Sequence, residues 1–149
     1  MSSDSGSVGA VIFDLDGVLT DTAELHYRSW QRVADEHGLP FERAAYEAMR
    51  GLSREDSLRR FLAGRGEHLS EAQRAAIIER KNVLFIAAAD ELSPADLLPG
   101  AAALLRELRR RGVPLAVASS SRNARRVIER LGIADLLDVI VDGNDTPRT

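Results

Sequence analysis

The sequence predicts an α/β fold in which a parallel sheet is interrupted by an inserted block of helices. Two observations carry that expectation. Short apolar runs at residues 8–13, 113–118 and 136–141 have the length and bounding glycines of buried strands. Between the first two, residues 22–94 change to helical periodicity, and a single helix separates the second run from the third. Residues 1–21 with 95–149 are therefore read as a sheet domain, and residues 22–94 as a helical cap. With only about three strands visible, the sheet reads as incomplete.

Each element has a local signature. Val8, Val11, Ile12 and Phe13 make the first strand, expected to be buried, between Gly9 and Gly17. After Thr22 the apolar period lengthens. Ala23, Tyr27, Trp30, Ala34 and His37 share one helical face, and Gly38 with Pro40 stops that helix. A short helix is expected over residues 42–49, ending near Gly51. Ser53 with Asp56, and Ser70 with Gln73, have capping-box spacing. The first pair opens a helix carrying Leu58, Phe61 and Leu62, which Gly64 and Gly66 end; the second opens a long helix to about residue 89. Ser93-Pro94 and Pro99-Gly100 frame the return to the sheet. A helix over residues 101–111 has Ala102, Leu104, Leu105 and Leu108 as apolar positions and Gly112 as its stop. Val113, Leu115, Ala116, Val117 and Ala118 form the second strand. Ser119 to Asn123 follow, then a helix closed by Gly132 and the third strand.

Composition narrows the function. The 149 residues are 44% hydrophobic and 29% charged, as in a globular protein with a real core. No cysteine is present, which removes disulfides, thiol nucleophiles and thiolate metal sites. A net charge of −3 without a basic run excludes a nucleic-acid face as the expected partner. Residues 1–7 are polar and unlike a signal peptide, and no apolar run approaches a membrane span. A cytoplasmic protein without a membrane partner is expected; nothing in the sequence fixes the oligomeric state.

Chemistry concentrates where strands end. Asp14 and Asp16 lie two apart on an extended chain, so both carboxylates can face one site. Ligands of open α/β sheets bind at the carboxyl ends of strands. Two like charges held close need a cation or a shared proton, and an all-oxygen pair suits Mg²⁺ with room for a phosphate. An Asp-Gly turn alone would explain less of the stretch. Ser119, Ser120, Ser121, Arg122 and Asn123 offer hydroxyls and backbone N–H groups ahead of a helix, as an anion site does. The same serines can also cap that helix.

The run Val-Ile-Phe-Asp-Leu-Asp-Gly-Val-Leu-Thr-Asp-Thr at residues 11–22 resembles the first motif of the haloacid dehalogenase (HAD) superfamily, and Ser119 matches its second. The fold so implied is a HAD-like Rossmannoid sheet with a helical cap. Residues 20–26, 51–58, 80–82 and 93–96, with Trp30, further resemble the beta-phosphoglucomutase family. The resemblance implies that Asp14 is a nucleophile forming an aspartyl phosphate. It makes Asp16 the general acid and base, with both residues at the Mg²⁺ site. Thr22 is implied near the cap hinge, and His26 near substrate. Arg54, flanked by Gly51, Ser53 and Ser57, would hold the phosphate not being transferred. Lys81 and Asn82, with Trp30, would line the cap side. Ser119, Ser120 and Ser121 would hold the transferring phosphate, and Arg122 with Asn123 would lie near the sugar phosphate. The implied substrate is beta-glucose 1-phosphate, passing through a glucose bisphosphate to glucose 6-phosphate.

Local reading leaves blander roles open: Trp30 as cap core, His26 as a surface histidine, Arg54 as an exposed helix-start residue. Water in place of the sugar acceptor would make a sugar-phosphate phosphatase instead. A receiver domain also pairs Asp with Mg²⁺, but lacks such a helical insertion. The superfamily pattern continues with a lysine after the third strand and paired acids after the fourth, whereas Lys81 is the single lysine here. The sequence therefore reads as an N-terminal portion of a phosphomutase or a truncated, non-catalytic remnant, and alone is expected to self-associate.

Overall fold

A computed structural model describes residues 8–145. The expectations for residues 1–7 and for the segment after Asp145 lie outside the described residues. The chain divides into two units: one runs up to Thr22 and resumes at Ala89, and the other is Ala23–Ala88.

The first unit holds the sheet. Strands β1 (Val11–Phe13), β2 (Leu115–Ala118) and β3 (Val139–Val141) are parallel, in that order. Val11 pairs with Leu115 and Phe13 with Val117, while Ala116 pairs with Val139 and Ala118 with Val141. All three strands therefore end along one rim. The helices of this unit bury Leu105, Ala124, Val127, Ile128 and Leu131, alongside Leu115 and Val117 of β2.

Strand burial departs from expectation. Ile12 is 72% exposed and Val8 lies outside the strand, exposed, while Phe13 is buried. An apolar run cannot say which face is covered, and β1 pairs on one side only among the described residues. Val139 and Val141 are also exposed. Val113 precedes β2 rather than joining it, and Leu136 belongs to a 3₁₀ turn, Ala134–Leu136, leaving β3 three residues long. Leu104 is exposed because Ala101 and Leu105 take the inward positions of their helix, α5 (Ala101–Arg110).

The second unit is built from α1 (Ala23–His37), α2 (Arg43–Glu47), α3 (Arg54–Leu62) and most of α4 (Glu71–Ala89). Trp30, Val33, Ala34, Phe41, Tyr46, Met49, Leu58, Phe61, Leu62 and Ile77 form one core. His37 is exposed, because the buried stripe of α1 runs through Trp30, Val33 and Ala34 and ends a turn earlier. The Ser70–Gln73 capping box forms with both reciprocal bonds, at 2.8 and 3.2 Å. Ser53 is only half a box: its Oγ accepts from Asp56 N–H but donates to the Asp56 carboxylate. The helix it opens ends at Ala63 in the left-handed region.

Phe61 ties this core together, with ring centroids 4.6 Å from Trp30 and 5.4 Å from Phe41. Phe61→Ala should destabilise the unit by about 3–5 kcal/mol, a large aromatic lost from a packed core. Trp30 is the only tryptophan, so its fluorescence during urea unfolding reports the loss. An unchanged midpoint would contradict this packing.

Candidate active site

The rim formed by the three strand ends collects the site. Asp14 follows β1, Ser119 follows β2, and Asp142 follows β3; the register makes these positions neighbours. Past Asp14 the chain turns sharply. Leu15 is buried, its carbonyl accepts from Leu19 and Thr20, and Gly17 sits at φ 80°. That conformation suits glycine, which carries no Cβ. Asp14 Oδ1 accepts from the Leu15 N–H at 2.7 Å, fixing its side chain over the turn.

Asp16 is held by Thr22, whose buried hydroxyl donates to Asp16 Oδ1. Burial of the Asp16 carboxyl raises its pKa above the ordinary value, against the hydrogen bonds from Thr22, and the charges of Asp14 and Asp21 push the same way. Asp16 as a whole residue is exposed; it is the carboxyl that neighbouring atoms crowd. Asp16 thus feels the charge of Asp14, as the sequence spacing implied. Thr22 serves to orient Asp16, a role the resemblance did not assign to it. It is also the last residue before the helical unit.

The donor set is entirely oxygen. Among the described residues no three His, Cys, Asp or Glu side chains gather as a metal site. Two carboxylates nonetheless fit a small hard cation of the Mg²⁺ kind, which keeps waters and takes substrate phosphate oxygens rather than demanding a full protein cage.

The segment after β2 is a compact turn. Ser119 Oγ accepts from Ser121 N–H and Ser121 Oγ from Asn123 N–H, each at 3.2 Å. Neither serine caps the following helix, α6 (Ala124–Arg130), whose N-cap Asn123 makes no side-chain cap bond. Ser120 is exposed, and Arg122 and Asn123 are half-buried. The loop after β3 braces this turn. Gly143 N–H donates to the Ser121 carbonyl at 3.2 Å, and Asn144 Nδ2 to the Arg122 carbonyl at 2.9 Å. A Cβ on Gly143 would stand 2.3 Å from the Ser120 carbonyl oxygen, so the two loops meet backbone to backbone. Asp142, 1% exposed, accepts from Asn144 N–H and lies 3.1 Å from Arg125 Nε without hydrogen-bond geometry. The sequence reading had missed these bracing residues; the Asp-Gly turn directly after a strand was the available signal.

The helical unit makes a second cluster. His26 stacks on Phe85 with centroids 4.1 Å apart, and Lys81 Nζ lies 2.6 Å from His26 Nδ1. Arg54 Nη2 donates to Asn82 Oδ1 at 3.3 Å. Burial, then the charges of Lys81 and Arg54, push His26 down to about 3. Burial and Arg54 bring Lys81 down to about 7. Cations gathered this way favour an anion nearby. His26, Arg54, Lys81 and Asn82 are thus brought together. Trp30 is not an open lining residue: it is 5% exposed, in the core, with Lys81 Nζ 5.8 Å from its ring. Ser53 caps α3, Ser57 lies one turn further along it, and Gly51 turns the chain before it at φ 77°.

Comparison with known proteins gives the family. The family described as haloacid dehalogenase-like hydrolase matches residues 8–149. The chain belongs to that family. It is 42% identical over 135 residues to a beta-phosphoglucomutase of Bacillus subtilis, covering 89% of this chain and 60% of that protein. It is 31% identical over 141 residues to a phosphoglycolate phosphatase of Cereibacter sphaeroides, covering 93% of this chain and 64% of the other. The crystal structure of beta-phosphoglucomutase from Clostridium difficile superposes with TM-score 0.84 at 34% identity, covering 96% of this chain and 65% of that one. This haloacid dehalogenase-like chain thus spans less than two thirds of the length of each. No helix among its described residues is long and apolar enough to cross a membrane.

The raised Asp16 has a thermodynamic consequence. A carboxyl that holds its proton more tightly when folded loses stability for the fold as it ionises. Asp16→Asn should therefore raise the melting temperature at neutral pH in chelator. The gain should shrink as pH falls and the native carboxyl becomes protonated. An unchanged or lower melting temperature at neutral pH would contradict the burial of this charge.

Proposed function

We propose that this chain carries a phosphomutase site that interconverts beta-glucose 1-phosphate and glucose 6-phosphate through an aspartyl phosphate on Asp14. One observation carries the reading: Asp14, Asp16 and the braced Ser119 turn share a single strand-end rim. The identity to beta-phosphoglucomutases supports it.

In this reading Asp14 Oδ2 attacks phosphorus, since Oδ1 is engaged by the Leu15 amide. A carboxylate nucleophile splits the transfer into two steps. Asp16 moves the proton of the sugar hydroxyl, and its raised pKa suits a group that must both give and take one. Thr22 keeps that carboxyl aimed. Ser119, Ser120 and Ser121 offer hydroxyl donors to the transferring phosphate, and Arg122 with Asn123, next in the chain, would meet the sugar phosphate. Asp14 and Asp16 would hold Mg²⁺, which would offset charge on the transferring group. Arg54 grips the phosphate that stays, as a guanidinium does bidentately; Asn82, His26 and Lys81 are gathered with it.

The phosphoglycolate phosphatase relative favours a second reading, a phosphatase in which water takes the phosphoryl group. Incubation of the protein with beta-glucose 1-phosphate and a trace of glucose bisphosphate separates them. The mutase reading predicts glucose 6-phosphate without release of inorganic phosphate, and release alone would replace it with the phosphatase.

Two substitutions test the roles. Asp14→Asn should abolish turnover with the melting curve intact, and normal activity would overturn the nucleophile assignment. Arg54→Ala should lower mutase turnover about ten- to a hundredfold, the worth of one charged hydrogen bond. It should spare hydrolysis of a small phosphate ester, and equal losses on both would contradict a clamp on the second phosphate.

A further inference from the structure

We propose that Lys81 is a site of reversible imine formation, taking phosphorylated aldehydes whose phosphate is held beside Arg54. The proposal shares with the function above the placing of a phosphate at the cationic cluster of the helical unit. It adds a covalent step that the mutase reaction does not use.

The geometry supplies three requirements. The amine must be placed, and Lys81 Nζ is fixed 2.6 Å from His26 Nδ1. It must have a free lone pair while so held. His26 stays neutral in this setting; in its Nε2–H tautomer Nδ1 accepts one N–H of a Lys81 amine, whose nitrogen lone pair then remains for attack. The aldehyde must also be recognised, and Arg54, whose charge acts on both His26 and Lys81, offers its phosphate a partner. Lys81 is half-buried.

Opposing influences on the amine can be weighed. The rings of Phe85 and Trp30, at 5.0 and 5.8 Å, favour the ammonium. Burial and the nearby Arg54 charge favour the amine, and they win: Lys81 falls to about 7. Against an ordinary lysine near 10.4, the neutral fraction at pH 7 rises by about a thousandfold.

The step balances without a co-reactant. Lys81 nitrogen bonds to the carbonyl carbon, the carbonyl oxygen takes up protons through a carbinolamine, and one water leaves. Hydrolysis reverses it.

The probe is pyridoxal 5′-phosphate, with borohydride to reduce the imine and peptide mapping by mass spectrometry. Lys81 is the single lysine in the sequence, so its adduct is separated from that of the N-terminal amine by mapping. Labelling should concentrate on Lys81, rise through a midpoint near pH 7, and be competed by inorganic phosphate. Pyridoxal without its phosphate should label about ten- to a hundredfold more slowly, as should Arg54→Gln with the phosphorylated probe. Lys81→Arg should lose the adduct while keeping its melting curve. A label confined to the N-terminal amine would overturn the proposal. Equal labelling by pyridoxal, or no competition by phosphate, would do the same. Phosphoryl transfer is assayed on the same preparation: transfer without labelling sinks this proposal alone, and labelling without transfer sinks the proposed function alone.

Discussion

Asp14 and Asp16 repel each other at the end of one short strand, and the sheet unit is arranged to keep them there. The turn through Leu15 to Thr20 pins the backbone between and beyond them. The Leu15 amide takes one oxygen of Asp14, and the Thr22 hydroxyl takes one oxygen of Asp16. The Thr22 bond lowers the cost of an Asp16 carboxylate that burial and the charges of Asp14 and Asp21 raise. The Thr22 backbone amide bonds Asp16 as well. Two carboxylates so placed suit a small hard cation and a phosphate.

The neighbouring strands extend the same logic. Parallel pairing puts the Ser119 turn beside Asp14 without any further device, and the loop after β3 closes on that turn through Gly143 and Asn144. Arg125 meets Asp145 and the Ile140 carbonyl at 2.8 and 2.7 Å, tying α6 to the end of β3. The rim is therefore a set of three strand ends bound to one another, with the turn after β2 restrained by the loop after β3. The helical unit solves a different problem. An aromatic core of Trp30, Phe61 and Phe41 fixes the helices that carry His26, Arg54, Lys81 and Asn82.

The parts of the site that depend on local spacing were legible in the sequence. Asp14 and Asp16 are two apart on a strand, and Ser119 follows a strand that had to be parallel to the first, so their convergence needed no tertiary information. Capping at Ser70 and Gln73 was legible for the same reason. Contacts that depend on helix packing were not. Lys81 meets His26 across 55 positions, and no periodicity fixes the rotation of α1 against α4. The coverage of a sheet face was equally hidden, since the run from Val8 to Phe13 reads alike whether Ile12 is buried or open. Trp30 shows the limit of resemblance, which carried it toward substrate while its ring filled the core.

The central claim is that Asp14 is the atom-level acceptor of a phosphoryl group. Borohydride reduces an acyl phosphate at aspartate to homoserine, which mass spectrometry reads at a single residue. Protein mixed with glucose bisphosphate, quenched and reduced, should yield homoserine at position 14 and aspartate unchanged at position 16. Homoserine at Asp16, phosphate found on a serine or histidine instead, or no modified residue at all would contradict the account.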